Sequence, residues 1–244
     1  MKKLFALVKR NLIEMLREPL TLIFCVAFPV VMLVFMQIIF SNFEYIPDNF
    51  RIENYAMGIC VFGYTFTSMF VAMSIASDKN SSFIKRIVIS PIRKTTYLCS
   101  YLLSALPVAL CQTLLFFIIA LFFGLPFNGS FFLAIVYLLP SALFYISLGI
   151  LLGVVCNNEK QTGPINSVVI SLTGILGGIF MPLNSFSGGL AVFVNALPFS
   201  HTVQIASELY SAGASCIYPH IFYILGYSAA IWLIVVLIEK LKRK

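Results

Sequence analysis

Long apolar runs separated by short polar breaks dominate this chain. Six of them are candidate membrane spans: Leu20–Phe40, Tyr55–Ala76, Tyr97–Phe123, Phe131–Val155, Pro164–Met181 and Pro219–Ile238. A hydrocarbon core of about 30 Å needs roughly 20 helical residues at about 1.5 Å each. The first four runs and the last satisfy that length, whereas the fifth is short and glycine-rich. Residues 182–218 are apolar but broken by Gly188, Gly189, Pro198 and Gly213. That pattern predicts a re-entrant pair of short helices on the outer side, tolerated where protein buries them. The fold expected is an all-α polytopic membrane protein with six transmembrane helices, forming one transmembrane domain over residues 1–244.

Two stretches carry a different period. Leu4, Phe5, Val8, Leu12, Met15 and Leu16 fall on one arc of a helical wheel, with Lys9, Arg10, Glu14 and Arg17 outside it, and Pro19 ends the pattern. This predicts an amphipathic interfacial helix over residues 1–18. The loop after the second span, residues 77–96, sets Phe83, Ile84, Ile87 and Val88 against Lys85 and Arg86 before Pro91. A helix this short is marginal in water, so headgroups or a partner protein must pack on it. Gly149 and Gly153, and Gly174 and Gly178, have the small-xxx-small spacing that lets helices approach closely.

Composition and charge narrow the function. The 244 residues are 60% hydrophobic and 10% charged, against about 25% charged in soluble domains, which excludes an ordinary soluble enzyme and a disordered chain. Fifteen of the sixteen basic residues fall on one side of a six-span topology, with Arg51 opposite. The positive-inside rule then places both termini in the cytoplasm. Anionic lipid and topology explain the net charge of +7 better than nucleic acid, which is not expected as a partner. The six cysteines, Cys25, Cys60, Cys99, Cys111, Cys156 and Cys216, have no C-x-x-C spacing and read as small buried apolar residues.

The chemistry of an enzyme is missing. Gly58-Ile-Cys-Val-Phe-Gly63 has P-loop glycine spacing, but Tyr64-Thr65 follow where Lys-Ser/Thr is required. There is no H-E-x-x-H and no G-x-S-x-G. His201 and His220 could sense pH or bind a metal, yet no ligand cluster flanks them in sequence. No cofactor or metal is therefore expected in this chain. The first four spans contain no ionisable residue among Asp, Glu, Lys, Arg and His, which argues against a proton-coupled carrier. Tyr64, Thr67, Phe70, Gln112, Asn166 and Thr173 are candidate lining for a lipophilic or amphipathic solute, the alternative being helix–helix contacts.

Four segments carry a resemblance: Leu4–Arg17, Phe83-Ile-Lys-Arg-Ile-Val-Ile-Ser-Pro-Ile92, Asn158-Glu-Lys-Gln-Thr-Gly163, and Gly177-Gly-Ile-Phe-Met-Pro182 followed by Ala196-Leu-Pro-Phe-Ser-His-Thr202. In order and spacing the chain resembles the type 2 ABC (ATP-binding cassette) transporter permease family over nearly its whole length. It departs where Asn80, Ser81 and Ser82 stand in for acidic residues and Gly, and where Glu208 stands near a frequent Arg. The resemblance implies a permease subunit of an ATP-driven exporter in a bacterial-type plasma membrane. Its cargo would be a drug, a lipid-linked glycan or a hydrophobic peptide. A second permease subunit, identical or related, would complete the path, and two separate ATPase subunits would carry ATP and Mg. It also implies a coupling helix between spans two and three whose contacts with the ATPase are Asp78, Phe83, Ile84, Lys85, Arg86, Ile87, Ser90 and Pro91. Glu159 and Lys160 lie in a second, lesser contact. The rival classes are an ATP-independent channel or carrier, a membrane enzyme, and a membrane immunity or scaffold protein.

Overall fold

The computed structural model describes residues 2–19, 23–89, 92–211 and 217–241, so Ser90, Pro91 and Leu20, the expected start of the first span, lie outside it. The described residues form helices joined by short loops. These are α1 (Lys2–Arg17), α2 (Ile23–Phe40), α3 (Ile52–Asn80), α4 (Ser82–Ile89), α5 (Lys94–Phe122), α6 (Gly129–Tyr137), α7 (Leu139–Val155), α8 (Glu159–Leu176), α9 (Gly188–Ala196), α10 (Pro198–Ser211) and α11 (Ile217–Leu241). The first turn of α2, Ile23–Ala27, is π-helical and runs into Pro29, whose ring and missing N–H disfavour a regular α turn there.

Five helical stretches are long and apolar enough to cross a membrane: α2, α3, α5, the α6–α7 pair and α11. They coincide with the first four predicted spans and the last. The fifth run, expected over Pro164–Met181, is shifted in the structure. Its helix α8 begins at Glu159, where Asn158 accepts from the Gln161 N–H at 3.0 Å and Gln161 accepts from the Asn157 N–H at 3.0 Å. This reciprocal cap adds a polar first turn, and α8 is not among the five apolar stretches. Past its end, Gly178 has φ +82°, a left-handed conformation that glycine adopts without a Cβ penalty. The broken region 182–218 contains α9 and α10, bent by 78° at Leu197. By length and composition alone, this pair makes a sixth apolar stretch if taken as one broken span, and otherwise five pass, with α8 too polar in its first turn to count.

Helix α3 is the axis of the bundle. It is buried along most of its length and packs most extensively on α7, then α8. Small residues permit this approach: a Cβ at Gly149 would collide with the Ser68 backbone of α3, and one at Gly153 would lie 2.8 Å from Ile75 Cβ. The small-xxx-small pair thus serves packing inside the subunit. In contrast, α2 and α11 bury few of their apolar side chains, as expected of lipid-facing helices.

Candidate functional site

The basic end of the bundle gathers α1, α4 and the ends of α3 and α5. Asp78 sits in the last turn of α3 with its side chain 7% exposed. Arg10 of α1 grips it with both guanidinium arms, Nη1 to Oδ2 at 2.7 Å and Nη2 to Oδ1 at 2.8 Å. That fork is the strong geometry for an Arg–carboxylate pair. The hydroxyls of Tyr97 (3.1 Å) and Tyr101, one turn apart on α5, also donate to Oδ2. Four donors therefore satisfy a carboxylate that burial would otherwise penalise.

Arg10 does more than neutralise Asp78. Its guanidinium carbon lies 3.8 Å from the centroid of the Phe83 ring on α4, a cation–π distance. Its Nη2 also meets Glu14 at 3.0 Å. Burial disfavours the Arg10 charge, but the Asp78 hydrogen bonds and charge outweigh burial and hold the guanidinium protonated above its ordinary range. Burial also pushes the Glu14 carboxyl up, partly offset by Arg10. One arginine thus ties α1 to the end of α3 and to the face of α4.

The one-residue turn between α3 and α4 is built by Ser81. Its Oγ donates to the Asp78 carbonyl at 2.7 Å and accepts from the Phe83 N–H at 3.2 Å. The same hydroxyl closes one helix and starts the next, fixing the angle between them. On the other side of α3, Lys79 Nζ donates to the carbonyls of Val154 (2.6 Å) and Cys156 (2.7 Å) at the end of α7, where a cation is favoured by the helix dipole.

The predicted contact faces turn out differently. Ile87 is 5% exposed and Ile84 is half-buried, both packed on the bundle. The helix rests part of its apolar face on its own subunit, because a short amphipathic helix needs an apolar support. Among its described side chains, α4 turns Ser82 and Ile89 outward, the latter 86% exposed. The side chains of Lys85 and Arg86 lie outside the description. Glu159 and Lys160 are exposed in the first turn of α8.

For α1, the buried stripe is Leu7, Asn11 and Met15, at i, i+4 and i+8, laid against α5. Asn11 Nδ2 donates to Ser100 Oγ at 3.0 Å within that contact. Of the predicted apolar arc only Met15 is buried. Leu4, Val8 and Leu12 are half-buried, and Phe5 and Leu16 are exposed. The helix therefore has a bundle face and, beside it, an exposed apolar edge.

The candidate path residues are also placed differently. Tyr64, Thr67, Phe70, Gln112, Asn166 and Thr173 are all buried within the subunit. Tyr64 bonds Thr113, Thr67 donates to Gln112 Oε1 at 3.3 Å, and Thr173 meets the Tyr145 hydroxyl at 3.0 Å. Polar groups inside an apolar bundle find each other because unpaired they cost several kcal/mol or so. Tyr64, Thr67, Gln112 and Thr173 bond across helices, whereas Asn166 donates only to the Thr162 carbonyl of its own helix. At the opposite end of the bundle, His201 Nδ1 and His220 Nδ1 are 2.6 Å apart, and His220 Nε2 meets Glu208 at 3.1 Å, linking α10 to α11. Among the described residues no group of three or more His, Cys, Asp or Glu is arranged to hold a metal.

A profile of the ABC-2 type transporter family matches residues 2–211. The chain belongs to that family. It is 24% identical over 204 residues to "ABC transporter G family member 20" of Dictyostelium discoideum, covering 81% of this chain and 28% of that protein. The chain thus spans under a third of the length of that curated relative. An ABC-2 membrane domain is a transport component.

Within this ABC-2 chain, Arg10, Tyr97 and Tyr101 escape a reading of the sequence, although Asp78 does not. The signal for them is weak but physical. Asp78 lies two residues past the uncharged run Tyr55–Ala76, and an acid that close to the apolar bundle requires a partner. Tyr97 and Tyr101, four apart at the facing end of the next span, are natural donors to it.

Proposed function

We propose that this chain is the permease subunit of an ATP-driven exporter in which α1 and α4 form one docking unit for a separate ABC ATPase. The observation that carries the reading is the Arg10 grip on Asp78 and Phe83. A force on α4 reaches α3, the axis of the bundle, through a one-residue turn and a buried ion pair rather than through a slack loop. The split of basic residues supports a cytoplasmic position for this end and both termini, in a bacterial-type plasma membrane.

The path requires a second permease subunit, identical or related. The exposed stripe of α8, Ile165, Val168, Leu172 and Ile175 with Ser167 and Ser171 beside it, mixes apolar and hydroxyl groups. That mixture suits a lipophilic or amphipathic cargo such as a drug, a lipid-linked glycan or a hydrophobic peptide. The uncharged spans fit the same cargo class. Six crossings, with α8 as the fifth and α9–α10 as a re-entrant pair, keep both termini on one side.

The docking claim is tested at Ile89, the exposed apolar residue of α4. Ile89→Asp is expected to weaken co-purification of the partner ATPase at least tenfold, since burying an unpaired carboxylate costs about 1–3 kcal/mol. Membrane insertion should be unchanged. ATPase recovery equal to the unsubstituted chain would remove α4 from the interface.

A further inference from the structure

The apolar side of α4 does not close fully on the bundle. Between them lies a cavity of about 750 Å³, within the roughly 300–1,000 Å³ of small-molecule sites. Its wall is mostly hydrocarbon: Ile75 of α3, Ile84 and Ile87 of α4, Ile92, Leu98 of α5 and Val154 of α7. One edge is the ion pair of Lys94 Nζ with Glu239 Oε2 at 2.9 Å, which joins the start of α5 to the end of α11. On the far side of that pair is a second pocket, of about 310 Å³, lined by Arg93, Lys94, Thr95, Lys240 and Glu239. An apolar chamber and a cationic pocket therefore share one wall at the end of two spans, where headgroups meet acyl chains. Three basic side chains against one carboxylate leave the small pocket net positive. Arg93 and Lys240 are both exposed, as groups receiving a headgroup from the bilayer must be.

We propose that this pair of pockets binds one anionic phospholipid, its phosphate on Arg93, Lys94 and Lys240 and an acyl chain beneath the coupling helix α4. A zwitterionic lipid would bring its own cation next to three others, so the site selects net negative charge. The chain under α4 fills space that Ile84 and Ile87 otherwise leave open, and so sets how rigidly α4 rests on α3 and α7. Assignment to the inner leaflet rests on the orientation proposed above; the binding itself does not.

Native mass spectrometry of the detergent-purified chain, without any ATPase, tests this separately from the transport reading. With phosphatidylglycerol and phosphatidylcholine offered together, the protein is expected to retain one phosphatidylglycerol in marked preference. The Arg93→Gln, Lys240→Gln double variant should lose about thirtyfold in that affinity, since each basic residue near a lipid surface is worth about 1 kcal/mol. Ile84→Trp fills the chamber from the α4 side and Asn157→Trp from its exposed rim; each should weaken retention at least tenfold. Three results would overturn the proposal: equal retention of the two lipids, retention unaffected by both tryptophan variants, or displacement of the lipid by millimolar glycerol phosphate. The second would mean surface attraction alone, and the third a free-phosphate site.

Discussion

Arg10→Ala is expected to destabilise the protein by about 3 kcal/mol and to abolish its stimulation of ATP hydrolysis by the partner. The substitution leaves the Asp78 carboxylate, 7% exposed, with two tyrosine hydroxyls and no cation. Breaking a buried ion pair from one side costs roughly 3–5 kcal/mol. The lower end applies here because the Arg10 side chain keeps 31% exposure. Asp78→Ala should cost less, because the freed guanidinium can turn to water and to Glu14, its neighbour at 3.0 Å. The double variant Arg10→Met, Asp78→Asn should recover most of the stability, since a neutral amide still accepts from Tyr97 and Tyr101 while no buried charge is stranded. It should not recover coupling, because the cation over Phe83 is gone. Thermal unfolding in detergent reads the first effect and ATPase stimulation the second. A double variant that regains full stimulation would show that the grip serves folding only.

Gly149→Ala is expected to lower stability by about 2–3 kcal/mol, the upper part of the range for overpacking. The new methyl would collide with the Ser68 backbone, and backbone inside a buried helix has no rotamer by which to yield. The α3–α7 contact must open along its length, and with it the packing of the bundle axis. Gly226 of α11 provides the opposite case. It lies within a helix and has nothing within 4 Å of its hypothetical Cβ, so Gly226→Ala should be neutral or stabilise by up to about 1 kcal/mol through helix propensity. Paired thermal melts of the two variants check the signs. A Gly149→Ala protein as stable as the parent would mean that α3 and α7 approach less closely than described.

The spans were legible because apolar length and the 3.6 period are local properties of sequence, and α2, α3, α5, the α6–α7 pair and α11 follow from them. The limits of α8 were not: its cap is made by the Asn158 and Gln161 side chains, which extend a helix into residues too polar to count as span. The direction of α4 was also hidden. An amphipathic helix declares that one face needs apolar company, but Ile84 and Ile87 find it in their own bundle, and nothing in residues 82–89 distinguishes that from a partner. Thr67 and Gln112 illustrate the same limit inside the spans. Neutral polar side chains can line a path or bond across helices, and the 3.3 Å contact between these two is a tertiary feature that no sequence period displays. In the sequence Arg10 is one of four charged residues outside the apolar arc of an interfacial helix. Its partner stands 68 residues away, beyond any periodicity that the sequence displays.

The central claim is that force passes between an ABC ATPase and this membrane domain through the α1–α3–α4 junction. ATP hydrolysis by the partner ATPase in nanodiscs, measured alone, with this chain, and with the Arg10→Met, Asp78→Asn double variant, tests it most directly. The expected result is stimulation by the unsubstituted chain and, with the double variant bound at equal stoichiometry, hydrolysis at the level of the ATPase alone. Equal stimulation by both chains, or none by either, would contradict it.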